Sequence, residues 1–303
     1  MKICLRCEQR FEAREWTCPA CGHEPESKDG LLRFAPELDS QVEDFDERWF
    51  PELAASEAAS FWFRSRNQLI VWALRRYFPS ARNLLEVGCG TGFVAAGIAE
   101  AVAPLTLQAG DAQSSGLAFA RERAPRARLY QLDARSLPFD REFDVVGAFD
   151  VIEHLDEDER VLAQMWRAVR PGGGALITVP QHRWLWSTED DAGGHKRRYT
   201  RAELVGKVER AGFSVERATS FVSVLLPLMA ASRLRGRVGM RQHDPDSNME
   251  LSLPRSLDRL LETAMTAERA IIRRGMSLPA GGSLLLVARR PLTANDHPGA
   301  VAG

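Results

Sequence analysis

Long hydrophobic runs are the first thing this chain of 303 residues lacks. No apolar stretch approaches the roughly 20 residues that a membrane-spanning helix needs, and the opening MKICLRC carries nothing like the apolar core of a secretion signal. The compartment expected on both grounds is the cytoplasm. A surplus of one charge sign is missing too: Lys and Arg number 40, Asp and Glu 41, for a formal net charge of -1. That balance argues against a surface built throughout to coat nucleic acid, while local basic patches stay compatible with it. What remains, 27% charged and 45% hydrophobic residues, suits one substantial core plus a small module, not a repeat array.

Cysteine is scarce except at the start. Four of the five lie in the first 21 residues, as Cys4-x2-Cys7 and Cys18-Pro-Ala-Cys21, with Gly22 next. Two such knuckles predict one tetrahedral Zn2+ held by Cys4, Cys7, Cys18 and Cys21, a structural zinc ribbon over residues 1–28. Gly22 fits, because a chain turning back around a metal needs positive φ and room for amide-to-sulfur hydrogen bonds. A reducing compartment disfavours disulfides, and neither CxxC has the βαβ context of a redox pair. His23 could compete as a ligand, but four thiolates already close the site.

Residues 29–60 read as an acidic connector with short helices, punctuated by Pro36 and Pro51. From Phe61 the stretch FWFRSRNQLIVWALRRYF fits an amphipathic helix, with Leu69, Trp72 and Ala73 on one side and Arg75 and Arg76 on the other. Its role is core packing, and a helix placed just before a nucleotide-binding strand can also cover the ligand.

The segment NLLEVGCGTGFVAA from Asn83 predicts a short buried strand, a glycine-rich turn and a helix running to about Ala101. Gly88, Gly90 and Gly92 allow backbone to approach a ligand closely, and free amides at the helix start attract electron-rich groups. Two details separate the turn from the dinucleotide fingerprint: the third glycine comes two residues after the second, and Glu86 stands two before the first. An acid at that strand end suits a ligand with a positive ammonium.

LLEVGCGTG resembles the first motif of the class I S-adenosylmethionine-dependent methyltransferases, in particular the ubiquinone-biosynthesis-like group. The resemblance implies an acid for the ribose hydroxyls at the end of the second strand, which PLTLQAGD supplies as Asp111. It implies another beside the adenine amine, which LYQLDARSLPF supplies as Asp133, with Ala134 next. The fourth strand is matched by EFDVVGAFDVIEHL, ending near Asp150, with Glu153 and His154 opening the next helix. The fifth is ALITVP, after the helix-breaking Arg170-Pro171-Gly172-Gly173-Gly174. Asp144 reads as a strand-start residue, and Cys89 as a small hydrophobe within the cofactor loop. The expected fold is α/β, a Rossmann-like seven-stranded methyltransferase sheet with helices on both faces. Its core spans 61–220, a helical cap insertion 221–280, the last core strand 281–291 and a disordered tail 292–303. The implied cofactors are S-adenosyl-L-methionine as methyl donor and structural Zn2+.

After strand five the chain offers His182, Trp184, Trp186, Asp190, Asp191 and His195-Lys196-Arg197-Arg198-Tyr199-Thr200. In related small-molecule methyltransferases a similar loop borders the acceptor. Thr200 fits a helix N-cap, with Glu203 completing a capping box. Transfer to an alcohol or phenol needs a base, and histidine is the natural one near neutral pH; the candidates are His195, His182 and His154. The insertion holds an apolar segment from Phe221, then Arg233, Arg235, Arg237 and Arg241, then the helical LDRLLETAMTAERAIIRRG. It reads as a cap for a greasy, anionic acceptor, as a peripheral membrane or lipid contact, or as an extra helical layer with a solvated basic face.

Three functions follow. The first is methyl transfer to a small-molecule acceptor, on oxygen of a lipid-linked, isoprenoid or sugar-derived compound. The second is ribosomal-RNA base methylation with the ribbon reading RNA; near-zero net charge and the absence of an Asn-Pro-Pro-aromatic element after strand four weigh against it. The third is a non-catalytic interaction protein built around the zinc ribbon, against which the intact motifs from Glu86 to Asp133 stand. Oligomeric state is not legible.

Overall fold

The computed structural model describes residues 1–40, 47–238 and 254–292, and among these the side chains of residues 40 and 234–238 are excluded. Two short hairpins open the chain: β1 (Lys2–Ile3) with β2 (Arg10–Phe11), and β3 (Glu26–Lys28) with β4 (Leu31–Arg33). Helices α1 (Trp49–Ser56) and α2 (Phe61–Tyr77) follow. The alternating part then runs β5 (Asn83–Val87), α3 (Phe93–Ala101), β6 (Thr106–Asp111), α4 (Ser114–Arg123), β7 (Arg128–Gln131), β8 (Phe143–Phe149), α5 (Asp158–Ala168) and β9 (Val169–Pro180). The chain continues through α6 (Thr188–Ala192), α7 (Arg201–Arg210), β10 (Ser214–Phe221), α8 (Leu226–Val238), α9 (Arg255–Arg273) and β11 (Ser283–Arg289).

One mixed sheet organises these elements, in the order β10-β11-β9-β8-β5-β6-β7-β4-β3. Strands β9, β8, β5, β6, β7 and β4 are parallel, while β11 is antiparallel to both β9 and β10. The seven strands expected from sequence are all present. The other two, β3 and β4, come from the N-terminal part: β4 pairs parallel with β7 through Leu32↔Tyr130 and Arg33↔Gln131. The segment expected to be a connector therefore supplies a sheet strand, because Leu31 finds an apolar pocket and Gln131 clasps the chain beside it, bonding both the N–H and the C=O of Ala35.

Central strands covered on both faces must be apolar on both. In β5, Leu84 belongs to the core under α2 and α3, while Leu85 and Val87 belong to the core under α5 and α7, the period-2 alternation of a strand. Strand β9 begins at Val169, ahead of the Pro-Gly run that the sequence reading placed before the strand. Gly173 and Gly174 are accommodated because a Cβ there would lie 2.5 Å from the Asp144 carbonyl and 2.1 Å from that of Ala288. Glu153 and His154 open no α-helix either: they lie in a 3-10 turn, Ile152–His154, and α5 starts at Asp158.

The two helices between β10 and β11 are tied to the core by charge. Arg64 on α2 pairs with Asp258 and Glu262 on α9 at 2.6 Å each. Buried Glu268 accepts from the backbone N–H groups of Val222, Ser223 and Val224 at 2.6–2.8 Å. Arg233 lies on α8 with its Nε on the Leu185 carbonyl. Arg241 and all but the first residue of the expected tail, 292–303, lie outside the described residues, as do the side chains of Arg235 and Arg237. Among the described residues no helix is long and apolar enough to cross a membrane.

Candidate active site

Strands β5, β6, β7 and β8 run parallel and stop along one rim, and each brings an acid there: Glu86, Asp111, Asp133 and Asp150. The rim at the carboxyl ends of an open α/β sheet is where such folds bind ligands. The glycine turn after β5 lies along it, with Gly88, Gly90 and Gly92 at φ 71°, 50° and 76°. A Cβ on Gly88 would meet Val151 at 2.5 Å and one on Gly92 the Ala120 backbone at 2.6 Å, so space and backbone conformation both demand glycine. The amides of Gly88 and Cys89 donate to the Gly110 carbonyl at 2.7 and 3.1 Å, which fixes the turn against β6. Cys89 is buried, and burial pushes its thiol well above the ordinary range, so it packs as a hydrophobe.

Asp111 accepts from the Gly90 amide at 2.8 Å and from the Gln113 amide at 3.0 Å. Burial raises its pKa while these amides oppose the rise. Glu86 is 2% exposed, and its Oε2 has no hydrogen-bond partner among the described residues. Burial pushes its pKa to about 8, against the pull of Arg66 and with a push from Asp111 and Glu57. Asp133 pairs with Arg135 at 3.0 Å, next to half-buried Ala134. Asp150 sits at φ 58°, ion-paired with Arg66 of α2 and accepting from the Thr178 hydroxyl at 3.0 Å.

The three histidines divide. His195 and His154 meet edge to face, ring centroids 4.7 Å apart, and buried Glu153 joins them. Asp190 holds His195 through Nδ1 at 2.7 Å and also accepts from Arg198 Nε at 2.8 Å. Burial alone would raise Asp190, but His195 and Arg198 overcome it and hold the carboxyl at about 2. Burial, then the nearby His195, pushes His154 down to about 4. Burial and the neighbouring Asp150 push Glu153 well above the ordinary carboxylate range. His182 is not part of this set; it sits at φ 65°, stacked on Trp184 at 5.6 Å. Thr200 caps α7 with Glu203 in a capping box, and Asp144 accepts from the amides of Arg82 and Asn83 at the start of β5.

Several participants have no signature in sequence. Helix α1 lays Phe50 over the glycine turn, its ring 3.9 Å from where a Gly90 Cβ would be. Glu57 accepts from the Thr91 hydroxyl at 2.6 Å and pairs with Arg123, which clamps the turn to α1 and α4. Arg66 reads in sequence as one polar position of an amphipathic helix, yet it faces the ligand rim. Charged residues on the inner side of α2 were the one available signal.

At the other end, Cys4, Cys7, Cys18 and Cys21 gather with Sγ–Sγ separations of 3.6 Å for Cys4–Cys21 and Cys7–Cys18. Thiolates at the usual 2.3 Å from a tetrahedral Zn2+ stand roughly 3.8 Å from one another, so the cluster fits a structural zinc. Gly22 has φ 69°, as the turn behind the second knuckle requires.

The sheet order, the glycine turn and the rim acids define the class I methyltransferase fold. Residues 84–173 match the family described as a methyltransferase domain. Over 177 residues the chain is 34% identical to a protein of Mycolicibacterium smegmatis named as a probable S-adenosylmethionine-dependent methyltransferase, covering 56% of this chain and 65% of that protein. It is 36% identical over 106 residues to a fatty-acid O-methyltransferase of the same organism, covering 34% and 39%. The chain thus spans less than two thirds of the length of these relatives. Among solved structures, phosphoethanolamine N-methyltransferase 2 of Haemonchus contortus, in complex with S-adenosyl-L-methionine, shares the fold with a TM-score of 0.50 at 20% identity, over 75% of this chain and 53% of that one.

Proposed function

We propose that the protein transfers a methyl group from S-adenosylmethionine to oxygen of a small, lipid-type acceptor. The observation that carries this reading is the joint placement, on one rim, of the acid-lined glycine turn and the Asp190–His195–His154 cluster. S-adenosylmethionine, when bound, supplies an electrophilic methyl carbon: the acceptor oxygen forms the new C–O bond while the C–S bond breaks and its electron pair goes to sulfur. Glu86, buried and with an unpartnered oxygen, suits the ammonium group of such a donor. Asp111 suits the ribose hydroxyls, and Asp133 with Ala134 the adenine edge; Gly88, Gly90 and Gly92 leave the backbone bare, and Cys89 packs behind them. Asp150 holds Arg66 at the rim.

An acceptor hydroxyl must lose its proton as it attacks. His195 is the best-oriented base, because Asp190 fixes Nδ1 and leaves Nε2 for the proton. His182 and His154 are the other candidates. The acceptor class is supported by the relative that acts on fatty acids through oxygen and by the apolar helical segment between β10 and β11, where Leu228 and Leu260 are exposed. The same segment would make any peripheral lipid contact. A reducing cytoplasm would suit four cysteines kept as thiols for zinc.

The test is incubation of purified protein with methyl-labelled S-adenosylmethionine and a cell extract split into lipid, polar, RNA and protein fractions. Label is expected in the lipid fraction and lost in Asp111→Ala. Label in RNA would overturn the small-molecule reading.

A further inference from the structure

Glu153, His154 and His195 each turn one ligand atom into a common space, all within 4.8 Å of one another. Glu153 is completely buried, yet neither carboxylate oxygen has a hydrogen-bond partner among the described residues, and the same holds for His154 Nδ1. Such orphaned groups in a dry interior cost several kcal/mol unless something satisfies them. Glu153 lies past the end of β8, in the Ile152–His154 turn, and is not one of the acids assigned above to the methyl donor.

We infer that Glu153, His154 and His195 form a divalent transition-metal site that takes an acceptor hydroxyl or phenol oxygen in its open positions. Two imidazoles and one carboxylate are a ligand set favoured by zinc, iron, cobalt or nickel, and three protein ligands leave room for substrate. The outer shell is already built. Asp190 bonds His195 Nδ1 at 2.7 Å, which presents Nε2 as the ligand atom, the carboxylate–histidine–metal arrangement. The backbone of Gly193 and Gly194 engages the His154 ring and leaves Nδ1 open. Two backbone bonds lock the loop to the turn: the Lys196 amide to the Glu153 carbonyl at 2.8 Å and the His195 amide to the Asp190 carbonyl at 2.9 Å. Metal–ligand bonds of about 2.0–2.2 Å require these atoms, now within 4.8 Å of one another, to draw closer together.

This deepens the methyl-transfer reading, on which its acceptor chemistry rests. A cation at this point draws the acceptor hydroxyl and eases its ionisation. With a cation bound, His195 Nε2 is a ligand in place of the base, so the proton leaves to water; the oxygen pair forms the C–O bond and the C–S pair goes to sulfur.

Cobalt(II) added to the zinc-loaded full-length protein tests the site, with neither methyl donor nor acceptor present. One equivalent is expected to bind with d–d absorption and without a thiolate-to-cobalt charge-transfer band. Asp190→Asn should weaken that binding roughly ten- to a hundredfold, and Glu153→Gln or His195→Gln should abolish it while the thermal transition stays cooperative. No cobalt bound to the unmodified protein, or equal binding in all variants, would overturn the site. Failure of the methyl-transfer reading shows separately, as absence of transferred label.

Discussion

At the scale of single residues, the decisive feature is burial of charge where the sheet ends. Glu86 is held near 8 in the folded state and has the ordinary value of 4.5 when the chain unfolds. Between these two pH values the folded state binds more protons, so this group's stabilising contribution is complete below 4.5 and is lost as pH rises towards 8. The full effect amounts to about 5 kcal/mol. Urea titrations of wild type and Glu86→Gln across this range should show the wild type losing stability relative to the variant as pH increases. An unchanged difference would mean that Glu86 is already ionised in the folded protein. A cationic ligand favours the ionised carboxylate, so S-adenosylmethionine affinity should rise with pH over the same window, and Glu86→Gln should flatten that rise in equilibrium dialysis.

Among the elements, the glycine turn and the helix pair between β10 and β11 have different vulnerabilities. Gly92 combines φ 76° with a 2.6 Å approach to Ala120, so Gly92→Ala must push α4 away from the turn. The expected outcome is loss of donor binding together with a lowered melting temperature. For the helix pair, Glu268 serves three amides with one carboxylate. Glu268→Ala leaves those donors without their partner and should cost about 3 kcal/mol, read as an earlier urea midpoint, with faster amide exchange at Val222, Ser223 and Val224. Exchange rates that stay at wild-type values would show that water replaces the carboxylate at no cost.

For the whole molecule, the N-terminal module is joined to the main sheet by more than a tether. Trp16 packs edge to face on Phe34, Tyr130 and Phe139. Lys2 bridges to Phe139, the Ile3 amide donates to the Pro138 carbonyl, and Asp39 accepts from the Ser114 amide at the start of α4. Metal analysis is expected to give one zinc per chain. Stripping it should expose the first 25 residues to protease while near-ultraviolet circular dichroism of the sheet core persists, since the four thiolates organise the ribbon and the sheet has its own core. Global unfolding on chelation would instead make the ribbon part of one cooperative unit.

Where the physics is local, the residues alone were enough. A strand, a glycine turn and a helix between Asn83 and Ala101 follow from apolar runs and from glycines that alone tolerate positive φ. The metal knuckles follow from cysteine spacing, and the α7 cap from Thr200 and Glu203. Tertiary structure alone decided what depends on residues far apart meeting in space. Leu31–Arg33 has too few residues to announce a strand; it becomes one because β7 offers an unpaired edge and Gln131 a clasp. Arg66 meets Asp150 across 84 positions of chain, and Glu57 meets Arg123 across 66. The sequence named three histidines but could not group them. His154 and His195 come together, and His182 does not, because the turn after β8 and the loop after β9 are bonded to each other through backbone, and backbone pairing leaves no trace in side-chain pattern.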